Sequence, residues 1–174
     1  MPSIVVVVGN PQPHSRTRLV AEEVARQLAE RAGREASVEE TIELADVAGE
    51  LFAVPSDEVD ALLARVAAAD VAVIASPTYK ATYTGLLKAF LDRYGADALA
   101  SVTAVPVLTI GAPTHALAVE LALRPLLVEL GASVPTRGIA FAAGAVEDRA
   151  RIVGEWADAA WPRIRHALVA PAAV

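Results

Sequence analysis

Ile4-Val5-Val6-Val7-Val8 is an unbroken β-branched run, and it leads directly into Gly9-Asn10-Pro11-Gln12-Pro13-His14-Ser15-Arg16-Thr17. A run with no polar residue on either side of the pleat reads as a strand buried on both faces, as in parallel sheets. The turn formers after it give way to hydroxyls that open a helix from Ser15 to about Arg31. Val20, Val24 and Leu28 form its stripe, and Gly33 stops it. The same alternation recurs along the chain. Ser37–Leu44 alternates, with Glu39 and Glu43 on the polar side, and predicts an edge strand. Ser56-Asp57-Glu58 opens a helix with an acidic first turn; Val59, Leu62, Leu63 and Val66 face inward and Asp70 ends it. Val71–Ala75 is the third strand, Ser76–Lys80 a loop, and the next helix carries Leu86, Leu87, Phe90, Leu91 and Tyr94 on one side. Val102–Ile110 is the fourth strand. Pro106 within it predicts a bulge or a lost ladder bond. A helix over His115–Leu130 is apolar on more than one face and is capped by Gly131. Ile139–Ala142 is the fifth strand. The last helix runs from Glu147 to about Leu168, with Ile152, Trp156, Ala160, Ile164 and Leu168 as its inner row.

Strict βα alternation implies an α/β fold: a parallel sheet with helices on both faces. Five strands favour the flavodoxin-like order 2-1-3-4-5. At 174 residues the chain is expected to be one domain over 1–170, with a loose tail at 171–174. The net charge of −6 argues against nucleic-acid binding through overall charge. Hydrophobic residues reach 55% and mean hydropathy +0.44, but much of this is alanine. No apolar run approaches the roughly 18–20 residues of a membrane span. The N-terminus has no basic segment ahead of its apolar run, so a secretory signal is not expected. The absence of cysteine excludes disulfides, thiolate nucleophiles and Cys-ligated metals and fits a cytoplasmic protein. His14, His115 and His166 lack ligand spacing, so no metal is expected. Ser76 is not in a nucleophile elbow, and Asp92 and Asp97 do not suggest a catalytic carboxylate pair.

Ligands of such sheets bind outside the carboxyl ends of the strands, at the switch point. Three loops therefore hold the candidate site. In the first, Ser15 and Thr17 stand at a helix start, where free N–H groups and the helix dipole attract anions; a plain N-cap by Ser15 explains the same residues equally well. It is neither a P-loop nor a dinucleotide fingerprint. In the second, Ser76–Lys80 and on to Gly85, Pro77 stiffens a turn whose N–H groups suit a planar ligand. An ordinary strand-to-helix connection is the simpler account of it. In the third, Thr109-Ile110-Gly111-Ala112-Pro113-Thr114-His115, Gly111 permits close approach of a ligand or merely makes a turn.

Ser76-Pro77-Thr78-Tyr79-Lys80-Ala81-Thr82-Tyr83-Thr84-Gly85-Leu86-Leu87-Lys88 resembles the flavin loop of the NADPH-dependent FMN reductases. The similarity is strongest to the reductase components of two-component alkanesulfonate and methanesulfonate monooxygenase systems. A second block, His115 to Leu127, aligns with that family's following helix, and the first loop matches its phosphate pattern loosely. The resemblance implies a flavodoxin-like three-layer sandwich that uses FMN and NADPH, with NADH as an alternative reductant. It implies that Ser15, Arg16 and Thr17 hold the FMN phosphate, with Asn10 and Gln12 beside them. Pro77, Thr78, Tyr79 and Lys80 would run along the isoalloxazine edge, and Thr109, Gly111 and Ala112 would line its pyrimidine end. Asn10 replaces the family's usual Ser, Gln12 its Arg, and Ile110 the first Gly of a pair.

By the same resemblance, hydride passes from the nicotinamide to flavin N5 and no catalytic side chain is required. The reduced flavin would pass to a partner monooxygenase or give its electrons to a quinone, azo compound or metal ion. The helix 115–130 would pack between subunits of a homodimer or homotetramer; burial within one subunit is the other account of its apolar faces. A flavin-bound quinone or azo reductase and a non-catalytic flavodoxin-like electron carrier are the alternatives on this fold. Leu121 stands where the sulfonate-system reductases carry Tyr in a helical bulge. Independently of that, Pro125 has no N–H, so the Leu121 carbonyl loses its i+4 partner and the helix should kink or widen there.

Overall fold

The computed structural model describes residues 1–33 and 36–169; the tail 171–174 lies outside them. Six strands form one parallel sheet: β1 (Ser3–Val8), β2 (Ser37–Val38), β3 (Ile42–Glu43), β4 (Val71–Pro77), β5 (Thr103–Ile110) and β6 (Ile139–Ala142). Their order is β2-β1-β4-β5-β6, with β3 also on β1. β2 and β3 together occupy the place of the expected second strand, so the architecture is the three-layer one anticipated. α1 (Arg16–Ala32) and α5 (Arg149–Ile164) cover one face. α2 (Asp57–Ala67), α3 (Gly85–Leu91) and α4 (Arg124–Glu129) cover the other. The β1 run explains this layering: Val5 and Val7 enter one core, Ile4, Val6 and Val8 the other, and all five are fully buried.

Three expectations need correction. The edge strand is not one regular strand. Ser37 lies opposite Ser3 and Val38 opposite Ile4, but Ile42 lies opposite Val7. The edge chain thus spends one residue more than β1 over the same length. One extra residue reverses which side chains face inward. Glu43 consequently turns in and is buried, instead of lying on the polar side.

Pro106 makes no bulge, because β5 pairs with β4 in continuous register from Thr103 to Thr109. The Thr103 N–H points to Asp70 of the β4 side and the Ala104 N–H to Ser133 of the other. Alternation therefore turns the Pro106 nitrogen away from β4. On that side β6 begins its ladder only at Ile139, opposite Val107, so the missing N–H interrupts nothing.

In α5 the buried residues are Val153, Ala157, Ala160 and Ile164, while Ile152 and Trp156 are only half-buried. A strict i+4 row drifts around a 3.6-residue helix; a mixture of i+4 and i+3 steps stays on one face.

The segment before α4 widens as Pro125 predicts. Val119–Leu123 is a π-helical turn in which the Arg124 N–H donates to the Val119 carbonyl, five residues back. α4 then restarts at Arg124, which puts Pro125 in a first turn, where a missing N–H costs nothing. Leu123 and Leu127 are fully buried, whereas Leu117, Leu121 and Val128 are exposed. Gly131 closes the segment at φ 88. A Cβ there would stand 2.9 Å from the Asp97 Cα.

Candidate active site

The carboxyl ends of β1, β4 and β5 lie side by side, and the loops leaving them meet. β4 runs two residues further than the sequence suggests, so Ser76 and Pro77 pair with Leu108 and Thr109. Ser76 is fully buried. Its Oγ accepts from Thr84 N–H at 3.0 Å and donates to the Pro77 carbonyl at 2.8 Å, which closes the loop on itself. Thr84 caps α3 by accepting from Leu87 N–H, and donates to the Gly9 carbonyl at 2.6 Å. The second loop is thereby tied to the first. Between them Tyr79 and Thr82 exchange backbone hydrogen bonds around Lys80 and Ala81, both left-handed.

In the first loop, Asn10 Oδ1 accepts from Gln12 N–H at 2.9 Å, and Asn10 Nδ2 donates to Thr17 Oγ1 at 3.3 Å. The Thr17 hydroxyl also meets the Thr109 hydroxyl at 2.7 Å. Asn10, Thr17 and Thr109 are all buried, and their network joins the β1 loop, α1 and β5. Ser15 is the N-cap of α1, its Oγ accepting from Arg18 N–H. Among the first helical N–H groups, those of Arg16 and Thr17 have no partner within the helix.

Ten of the twelve residues singled out from the sequence line one depression of about 260 Å³ here. The exceptions are Lys80, exposed at the turn tip, and Ala112, which lines an adjoining apolar depression of about 420 Å³. Ala143, just past β6, lines both, and its carbonyl accepts from Arg16 Nη1 at 3.3 Å. Sequence reading missed Ala143, which contributes a methyl group and backbone only. The strand order was the available signal, because it sets the β6 loop beside the β5 loop.

A phosphorylated planar ligand fits these residues. Among the described residues, Arg16 is the one cation lining the first depression. Thr78 Oγ1 is buried there without any hydrogen-bond partner, and buried hydroxyls are rarely left so. Above Gly111 a Cβ would meet nothing within 4 Å, leaving the backbone open to approach. Among the described residues, no three His, Cys, Asp or Glu side chains cluster to hold a metal ion, and no helix is long and apolar enough to cross a membrane.

A parallel sheet in this order, sandwiched by helices and hollowed at the ends of three adjacent strands, defines a flavodoxin-like protein. Residues 2–147 match the NADPH-dependent FMN reductase family, and the chain belongs to it. It is 32% identical over 157 residues to an FMN reductase (NADPH) of Pseudomonas aeruginosa, covering 87% of this chain and 82% of that one. It is 33% identical over 128 residues to the NADH-dependent FMN reductase SfnF of Pseudomonas fluorescens, covering 71% and 67%. The crystal structure of an NADH:FMN oxidoreductase in its apo form superposes with a TM-score of 0.84 at 28% identity, covering 99% of this chain and 92% of that one.

Proposed function

We propose that the depression at the ends of β1, β4 and β5 binds FMN, which the chain reduces with NADPH or NADH. The convergence of three separate loops on one polar hollow carries this reading. Ser15, the free N–H groups of the first α1 turn and Arg16 would meet the phosphate. The buried Asn10–Thr17–Thr109 network fixes their position relative to β5. Pro77, Thr78 and Tyr79 would flank the ring, and the backbone about Gly111 would face its pyrimidine end. FMN, when bound, would supply the redox chemistry as a two-electron acceptor. The chain's own part is to bind, orient and shelter, which needs no acid or base at the site.

The test is flavin binding by fluorescence quenching. Replacing both Ser15 and Thr17 with Ala is expected to weaken FMN at least tenfold, about 1.4 kcal/mol, and to leave riboflavin much less affected. Equal FMN affinity in the variant and the parent removes the phosphate assignment.

Self-association through the segment 115–130, as a homodimer or homotetramer, belongs to the same proposal. Leu117 and Leu121 are 66% and 73% exposed, an apolar pair on one side of a helix whose other side already fills the core. A mass of one chain by light scattering would argue against it. Transfer of reduced FMN to a flavin-dependent monooxygenase, and the cytoplasmic location expected from the cysteine-free sequence, complete the reading.

A further inference from the structure

Glu43 does not line the flavin depression, yet it is a carboxylate with only 3% of its side chain exposed. It ends β3 at the sheet edge, turned inward by the extra residue of that edge. Both its oxygens face the loop after β1. The His14 N–H lies 3.2 Å from Oε1 and 3.0 Å from Oε2. Arg18 donates to Oε1 from the first turns of α1, and the His14 ring nitrogen Nδ1 stands 3.6 Å away. Burying a carboxylate is unfavourable unless donors and an opposite charge compensate it. Arg18 provides the charge and is itself held by Glu22 at 2.7 Å.

What this arrangement holds is a strained residue. His14 has φ 53, a left-handed conformation that a non-glycine residue keeps only where its surroundings enforce it. Ser15, the N-cap, follows immediately. The turn at His14 therefore sets the direction in which the chain enters α1, and with it the aim of the first free N–H groups. We propose that Glu43 is a positioning residue for the phosphate subsite: it fixes the His14 turn without touching the ligand. The inference rests on the phosphate reading given under Proposed function.

FMN and riboflavin, which differ by the phosphate, separate this role from general stability. Glu43→Met keeps much of the volume but removes both acceptor oxygens; Glu43→Gln restores one. Flavin binding by fluorescence quenching, on protein shown folded by its thermal melt, is expected to lose about tenfold for FMN in Glu43→Met. Riboflavin should change less than about twofold, and Glu43→Gln should fall between Glu43→Met and the parent. A parent-like ratio of FMN to riboflavin affinity in Glu43→Met, whether from no loss or from an equal loss of both ligands, overturns the inference and leaves the phosphate subsite standing. A parent protein that binds riboflavin as tightly as FMN removes the subsite itself, and the positioning role with it.

Discussion

The two loops that frame the proposed flavin site are secured by opposite means. The Gly9–Ser15 loop is held from outside by a charged cluster: Glu43 grips the His14 N–H, and Arg18 balances the carboxylate. Hydrogen bonds that it donates to Glu22 and Glu43 keep the Arg18 guanidinium above its ordinary pKa. The Ser76–Gly85 loop is held from within by neutral groups: the Ser76 and Thr84 hydroxyls and a tight turn at Tyr79–Thr82. An anion can be received where a cation and free N–H groups are already organised. A flat ring needs a wall that does not move and carries no competing charge. On the proposed reading, affinity for the phosphate falls to one loop and placement of the ring to the other.

Gly9 is where the two loops join, and substitution there breaks the comparison most severely. Its carbonyl accepts from Thr84, and a Cβ would lie 2.6 Å from the Leu87 Cβ of α3. Gly9→Ala is expected to cost about 1–3 kcal/mol by overpacking and to weaken every flavin tested. A denaturant midpoint equal to the parent's would show that α3 yields freely. Ser76→Ala tests the neutral loop by itself. It leaves the buried Thr84 N–H without its acceptor, at about 1–3 kcal/mol, and should weaken FMN and riboflavin by the same factor. A selective loss of FMN would erase the division of labour between the loops. Ala81→Gly is the mildest probe. Relief of the left-handed strain slightly exceeds the entropic penalty of glycine, so stability should rise by less than about 1 kcal/mol. Urea unfolding reads this, and a clear loss would mean that the alanine methyl group is itself packed.

Most of the fold was legible because burial on both faces leaves a compositional mark: Ile4–Val8, Val71–Ala75 and Val102–Ile110 admit almost no polar residue. What escaped depends on register and direction, which composition does not carry. A glutamate in an alternating strand looks solvent-facing, and only the one-residue slip against β1 reverses it. Pro106 looked disruptive because a sequence does not say which neighbour an N–H faces. The gathering of the candidate residues in one depression was legible through hydroxyls, prolines and glycine. Ala143 and the grip of Glu43 on a backbone N–H were not, since one has no functional group and the other acts across 29 residues.

The π-turn at Val119–Leu123 is a surplus of one residue in the helical winding. Each residue added to a helix advances the side-chain phase by about 100°. Everything upstream of the turn is therefore rotated relative to the buried row of Leu123 and Leu127. Leu117, upstream, turns with that offset, whereas Leu121 lies within the turn, two residues before Leu123 and so on the opposite side of the winding. A single deletion or insertion at this point would rotate the exposed Leu117 and, with it, Ala118 and Val119, which are buried in the core beside Leu123.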